Sequence, residues 1–342
     1  MENNPLCCFI VPYFGTLPNT TPLFLKTCAS NPDYNWLIIT DDHAPLKYPS
    51  NVSVMYCSFF EFRSRIQSCF DFEIALNSPK KLCDFKPAYG YILSKELQQY
   101  PFWGYCDLDQ CFGNLSCFIP REVLEQYDKL FTLGHMTIYR NTPYINALFM
   151  QTAKNPQYHG TTYRDIFSTP VNCCFDEWPE TRININVLAE EANLRINTDV
   201  KYIDVDPFRS EFLNTVFDAD IRRWSIDPIG HFVIVWHNGI MKAIWRDSDN
   251  ILKQRDVLYV HLQKRKMNIK AGISDANAYA IYPNTVCCFE CAEQITEKWL
   301  RNHLRYQILR RVLKIDETKH RGSNFAKLWN HRFHKYILRD RH

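Results

Sequence analysis

Two carboxylates stand where an apolar run stops. Phe102-Trp103-Gly104-Tyr105-Cys106 reads as strand and gives way to Asp107-Leu108-Asp109. Residues i and i+2 of a strand share a face, so both side chains point one way if the strand persists. If it ends at Cys106, both lie on the loop at its carboxyl end, where open α/β sheets bind ligands. Two adjacent hard oxygen donors suit Mn²⁺ or Mg²⁺, and such an ion commonly completes its shell with substrate phosphates. An isolated Asp-x-Asp can be no more than a solvated turn. The apolar lead-in sets this one apart, because unpaired buried charge is costly and needs a reason.

Other residues carry chemistry of a matching kind. His261 closes the strand-type run Asp256-Val-Leu-Tyr-Val-His-Leu262 and is followed by Lys264, Arg265 and Lys266. Imidazole with two carboxylates makes a reasonable Mn²⁺ set, and adjacent cations can neutralise a diphosphate. Lys86 precedes Pro87, which fits the first turn of a helix over 87–99, so Lys86 is expected beside a helix N-terminus that favours an anion. Asp176 and Glu177 sit between aromatics in a stretch of weak periodicity, 155–186, expected to be a substrate-facing loop. His135 follows a short strand, where it either faces a ligand or caps a turn. Cys288 and Cys291 have CxxC spacing, but a structural zinc site needs a second pair, and Cys7-Cys8 and Cys173-Cys174 do not supply one.

The elements that would position these residues alternate. Leu6–Val11, Asn35–Thr40 and Val52–Cys57 read as buried strands, with a helix over 20–29 between the first two. Strand, helix, strand at this spacing is the βαβ pattern of a parallel sheet. The loop Pro12-Tyr13-Phe14-Gly15 then follows the first strand, a common nucleotide position, although no GxGxxG accompanies it. A helix is expected over 59–72, strands at Lys129–Leu133 and Lys201–Val205, and a helix over 183–192. Phe232–Trp236 and Ala243–Trp245 flank His237-Asn238-Gly239, a hairpin signal.

The 342 residues suffice for one large α/β domain or two smaller ones, and 46% apolar with 15% aromatic residues means a sizeable core. No window approaches the length of a membrane-spanning helix. The polar start, without a basic leader, gives the expectation of a cytoplasmic protein whose 14 cysteines are reduced. The net charge of +3 hides an asymmetry: residues 298–342 hold 13 Lys/Arg against three acids. There Trp299, Leu304, Ile308 and Val312, then Phe325, Leu328, Trp329 and Phe333, recur at helical spacing. Residues 1–270 therefore read as one domain and 271–342 as a basic, amphipathic helical extension. The extension suits an anionic membrane surface, or packs on the domain with a solvated basic face. No nucleic-acid-binding module accompanies the charge.

Five blocks in order resemble a family. They are Asp84-Phe-Lys-Pro-Ala-Tyr-Gly90; Phe102–Asp109 with Phe112-Gly-Asn114; Gly134-His135 with Tyr139-Arg-Asn141; Phe175-Asp-Glu177; and His261-Leu-Gln-Lys-Arg265. Together they resemble, over roughly residues 5–270, bacterial GT-A-type glycosyltransferases of an uncharacterised capsular or surface polysaccharide family. The resemblance implies a Rossmann-like, mostly parallel sheet flanked by helices, and sugar transfer from a nucleotide-diphosphate donor such as a UDP-sugar. The acceptor would be a saccharide or a lipid-linked molecule. It also implies Mn²⁺ or Mg²⁺ on Asp109, Asp107 and His261, with Asp107 a metal ligand or ribose contact and Lys264 on the phosphates. Pro12, Tyr13, Phe14, Gly15, Asp41 and Asp42 would border base and ribose, Lys86 would be a donor-side cation, and His135 would face the donor sugar. Asp176 or Glu177 would be the base of an inverting enzyme; in a retaining one the pair would bind sugar hydroxyls. Two rivals stand beside it: a non-catalytic protein on the same fold that docks at membranes or polymers through the basic tail, and a metal-dependent phosphoryl-transfer or hydrolytic enzyme built on the same carboxylates.

Overall fold

The computed structural model describes residues 5–289 except 159, 178–181, 207–211, 219–222, 227–231, 248, 250, 271 and 274–275. The chain is a mixed α/β protein of two compact units. Unit 1 takes the chain up to Leu108 and Leu115–Asp199; unit 2 takes Asp109–Asn114 and the chain from Val200 onward.

Unit 1 is built on a seven-stranded sheet. Its strands are β1 (Cys7–Pro12), β2 (Tyr34–Thr40), β3 (Val52–Tyr56), β4 (Phe102–Cys106), β6 (Lys129–Leu133), β7 (Met136–Arg140) and β8 (Ile196–Asn197), with β5 (Gln110–Phe112) leaving for unit 2. The spatial order is β3-β2-β1-β4-β7-β6-β8. The first four run parallel, and β7 turns antiparallel to both β4 and β6. β1 lies between β2 and β4, and its residues from Cys7 to Val11 are buried, as expected of a strand covered on both faces. Helix α1 (Thr21–Ala29), with Pro22 in its first turn, joins β1 to β2. Helix α2 (Phe59–Gln67) follows β3 and starts at a capping box of Ser58 and Glu61.

The helix expected over 87–99 is helical but broken and begins earlier: 3₁₀ turns at Pro79–Lys81 and Lys86–Ala88 alternate with single α-helical turns at Leu82–Phe85, Tyr89–Ile92 and Ser94–Leu97. Close packing explains part of this. The indole of Trp103 lies 2.3 Å from where a side chain on Gly90 would begin, so the segment presses its backbone onto β4. Lys86 lies inside this run, directly after the Leu82–Phe85 turn, so it does not face the free N-terminus of a longer helix and the anion argument from a helix dipole falls. The loop-rich 155–186 stretch holds a helix at Tyr163–Ser168, opened by a Thr162–Asp165 capping box. Ile185–Glu191 is helical as expected, capped by Asn184.

The described residues of unit 2 form three sheets. Its strands are β9 (Tyr202–Val205), β10 (Phe212–Leu213), β11 (Thr215–Asp218), β12 (Arg223–Ile226), β13 (Phe232–His237), β14 (Ile240–Arg246), β15 (Leu252–Asp256), β16 (Tyr259–His261), β17 (Asn268–Ile269), β18 (Ala278–Tyr282) and β19 (Thr285–Cys288). They form β10-β9-β16-β5, β11-β12 and β15-β14-β13-β18-β19-β17. The β13–β14 hairpin turns at Asn238 and Gly239, both with positive φ, as the Asn-Gly signal requires. The segment from 271 was expected to be helical, yet it opens with the β18–β19 hairpin on the edge of β13. The two amphipathic helices expected from Trp299 onward, and Cys291, lie outside the described residues. Among the described residues no helix is long and apolar enough to cross a membrane.

Candidate functional site

β4 ends at Cys106, so Asp107 and Asp109 lie on the connection to β5 and not within a strand. The unit boundary falls between Leu108 and Asp109. Each unit carries its own cluster of charged groups.

In unit 1 the cluster centres on Lys86. The Lys86 ammonium is buried, 2.7 Å from Asp107 Oδ1, 3.6 Å from Asp176 Oδ2 and 2.5 Å from the carbonyl oxygen of Gly134, which accepts from it. It also lies 5.3 Å from the ring centre of Tyr105. Burial works against its charge, but Asp107, Cys83 and Asp176 outweigh that and hold its pKa well above the usual lysine value. Asp176 is buried, and desolvation raises its carboxyl well above the ordinary range; Lys86 opposes this, while Glu177, Asp84 and Asp107 add to it. Gly134 is the reason the acidic pair fits. A Cβ there would lie 2.9 Å from Asp176 Oδ2 and 3.1 Å from Glu177 Oε2. His135 follows on the β6–β7 turn, and its carbonyl accepts from the amide of Asp107 at 3.0 Å.

The expected nucleotide loop also lies in unit 1. Pro12 ends β1, and the Tyr13 amide donates to Ile39 O at 2.8 Å. The Phe14 ring packs edge-on against Phe59 and beside Phe62, towards the core. Asp41 accepts from the amide of Gly15 at 2.7 Å, and Asp42 from those of Leu17 and Ala44 at 2.8 and 2.9 Å. Those amides hold the Asp42 carboxyl below its ordinary pKa. Both aspartates thus tie the loop after β2 to the loop after β1, and Gly15, at φ 91°, supplies the turn.

In unit 2 the cluster centres on His261. Parallel pairing of β16 with β9 sets His261 opposite Asp204, and antiparallel pairing with β5 sets it opposite Gln110, the residue after Asp109. His261 Nδ1 lies 2.9 Å from Asp204 Oδ1, and Nε2 lies 3.5 Å from Asp109 Oδ1. Gln263 Nε2 donates to Asp204 at 2.9 Å. Burial lowers the pKa of His261, but Asp109 and Asp204 outweigh it and raise it to about 10. Asp109 is buried, which works against its charge; His261 and the amide of Lys264 nevertheless hold its carboxyl far below the usual range. Gln263 and Lys264 both have positive φ, a tight left-handed turn that brings the Lys264 amide to Asp109. Lys264 thus meets Asp109 through its backbone N–H, while its residue is exposed.

His261 belongs to two groups of three carboxylate and imidazole residues that could hold a metal ion; Asp109 is in one and Asp204 in the other. The chemistry of the donors fits: a buried imidazole whose second nitrogen meets a carboxylate is how metal-ligating histidines are commonly oriented. Asp204 was not singled out in the sequence, although a lone acid inside the apolar run Tyr202-Ile203-Asp204-Val205 is a signal. Nor were Gln263, or Lys81 and Asp84, which form a buried ion pair at 2.7 Å.

Fold and clusters together define a mixed α/β protein with acidic and imidazole groups able to take a divalent ion. Residues 9–290 match a family of unknown function, DUF6625, and the chain belongs to that family. No curated protein matches the sequence.

Proposed function

We propose that the protein is a metal-dependent glycosyltransferase of GT-A-like fold, taking a sugar from a nucleotide-diphosphate donor such as a UDP-sugar. The observation that carries this reading is Asp109. It is buried, it follows the end of a central parallel strand by three residues, it shares His261 with Asp204, and its neighbours favour its charged form. A carboxylate kept charged while buried asks for a cation, and Asp-x-Asp after such a strand asks for one that also takes phosphate.

Mn²⁺ or Mg²⁺ would be held by Asp109 and His261, with Asp107 two residues earlier in the chain. Bound there, the ion would stabilise the charge that grows on a departing diphosphate. The protein's own groups supply the rest. Asp204 fixes the orientation of the His261 ring. Lys86 keeps Asp107 and Asp176 together despite their like charge. Asp176, whose carboxyl binds a proton more tightly than usual, has the character of a base that takes the proton of an acceptor hydroxyl. The acceptor class that goes with this reading is a saccharide or lipid-linked saccharide, used in the cytoplasm or at the inner membrane face.

The test is a screen of UDP-, GDP- and other sugar nucleotides for transfer or donor hydrolysis, with and without Mn²⁺. Release of nucleoside diphosphate that depends on the metal supports the reading. No metal-stimulated binding or turnover with any donor removes it, and release of free phosphate points instead to phosphoryl transfer.

A further inference from the structure

Outside the groups used so far, one fully buried charge among the described residues is Asp84. Its carboxylate accepts from two backbone amides of one loop and from one lysine. Oδ2 accepts from the amide of Cys173 at 2.8 Å, and Oδ1 from the amide of Phe175 at 2.9 Å. The residue between them, Cys174, has φ 56°, so the two amides turn towards the same acceptor. Lys81 completes the arrangement. Its ammonium is 2.7 Å from Asp84 Oδ2 and donates to the carbonyls of Ile166 and Val171 at 2.9 and 2.7 Å. One buried ion pair therefore grips the chain on both sides of Asn172.

The loop is held further along as well. The Phe175 ring is buried against Phe167, and its carbonyl accepts from the amide of Ile185 at 2.9 Å. The next two residues are Asp176 and Glu177, whose carboxylates rest on Gly134. A loop needing only to connect two helices would not call for a buried carboxylate with two backbone donors and its own counter-ion, since such a pair is costly to desolvate. The expense makes sense where the residues it presents must sit to within a fraction of an ångström.

We infer that Asp84, backed by Lys81, is a positioning residue for Asp176 and Glu177, acting through the backbone of 173–175. The kinetic part of this inference rests on the transferase reading; the structural part does not. Substitution D84N keeps the shape but replaces an acceptor of two amides and an ammonium with a group that itself donates. In the full-length chain, amide hydrogen exchange across 171–177 should quicken by about tenfold or more while β1 and β2 keep their protection. Turnover should fall by about 100-fold with the donor KM within about twofold of wild type, since misplacement costs rate and not donor binding. Variant G134A, which leaves the ion pair intact but intrudes on the two carboxylates, should reproduce the kinetic loss without the change in exchange.

Wild-type protection of 171–177 in D84N overturns the inference, whatever the catalytic activity. Equal kcat in D84N and wild type overturns it too. If D84N does not fold, K81M/D84N replaces it, because the double variant leaves no unpaired buried ammonium; the same two results then decide. Wild-type protein inactive with every donor sinks the transferase reading, and the exchange measurement still judges the loop.

Discussion

Each unit gathers buried or half-buried carboxylates around one cation, and the two cations differ in kind. In unit 1 it is Lys86, between Asp107 and Asp176; in unit 2 it is His261, between Asp109 and Asp204. An ammonium has three donors and no acceptor, so it can neutralise carboxylates but never join them on a metal. An imidazole can surrender its proton and offer a lone pair instead. The first cluster is thus permanently balanced by the protein. The second is balanced by a proton that a divalent ion can replace, and metal affinity there should fall as pH drops.

The largest effect is expected from D109A, which should abolish Mn²⁺ binding measured by calorimetry, while K86M leaves it measurable. The reverse pattern would break the distinction between the clusters. Next comes the stability of K86M. It strands Asp107 and Asp176 without their cation and should lower unfolding free energy by about 3–5 kcal/mol near neutral pH. The deficit should shrink as pH falls, because the stranded carboxyls bind protons more readily folded than unfolded; a deficit independent of pH would mean that packing, not charge, is lost. D204N is expected to fold normally and to weaken Mn²⁺ by about 10–100-fold, the usual cost of losing a partner that orients a ligating histidine. Unchanged affinity would place the ion elsewhere.

A third buried lysine sharpens the comparison from the other side. Lys129 donates to Phe131 O and, at 2.7 Å, to Asn186 Oδ1, and its ammonium is 5.4 Å from the ring centre of Tyr139. No carboxylate pairs with it among the described residues, and burial lowers its pKa to about 7. The unfolded chain then binds more protons than the folded one between pH 7 and 10.5, so this lysine makes stability rise with pH across that window. Variant K129M should remove that rise, and at pH 7 should unfold at a somewhat higher denaturant concentration than wild type. Parallel pH–stability curves for the two proteins would show that Lys129 titrates as an ordinary lysine.

Much of unit 1 was legible because local signals and tertiary demands agree. The runs at 6–11, 35–40 and 102–106 are too apolar to be anything but buried strands, 52–57 is a strand but at the sheet edge with only Val52 buried, and Pro22 in unit 1 and Asn238-Gly239 in unit 2 fix a helix start and a hairpin turn through backbone sterics alone. The helix expected over 87–99 is there only as short consecutive turns that start earlier, because the closeness of Trp103 to Gly90 is a contact across 13 positions that local signals do not carry. The Tyr163–Ser168 helix carries little local signal, because the loop-like composition around it outweighs a single capping box.

For the clusters, the sequence alone determined the chemical types and one tether: Asp107 and Asp109 are two residues apart, and no folding can separate them further. It also placed His261 at the end of a strand. Which charges meet was decided by tertiary structure. Strand register set Asp204 beside His261, the missing Cβ of Gly134 let Asp176 and Glu177 close on the β6–β7 turn, and Lys86 was drawn to Asp107 from 21 positions away. The reason is physical: hydrophobic periodicity is local and survives in one dimension, whereas a buried charge is stable only beside a partner that the folded chain supplies from elsewhere.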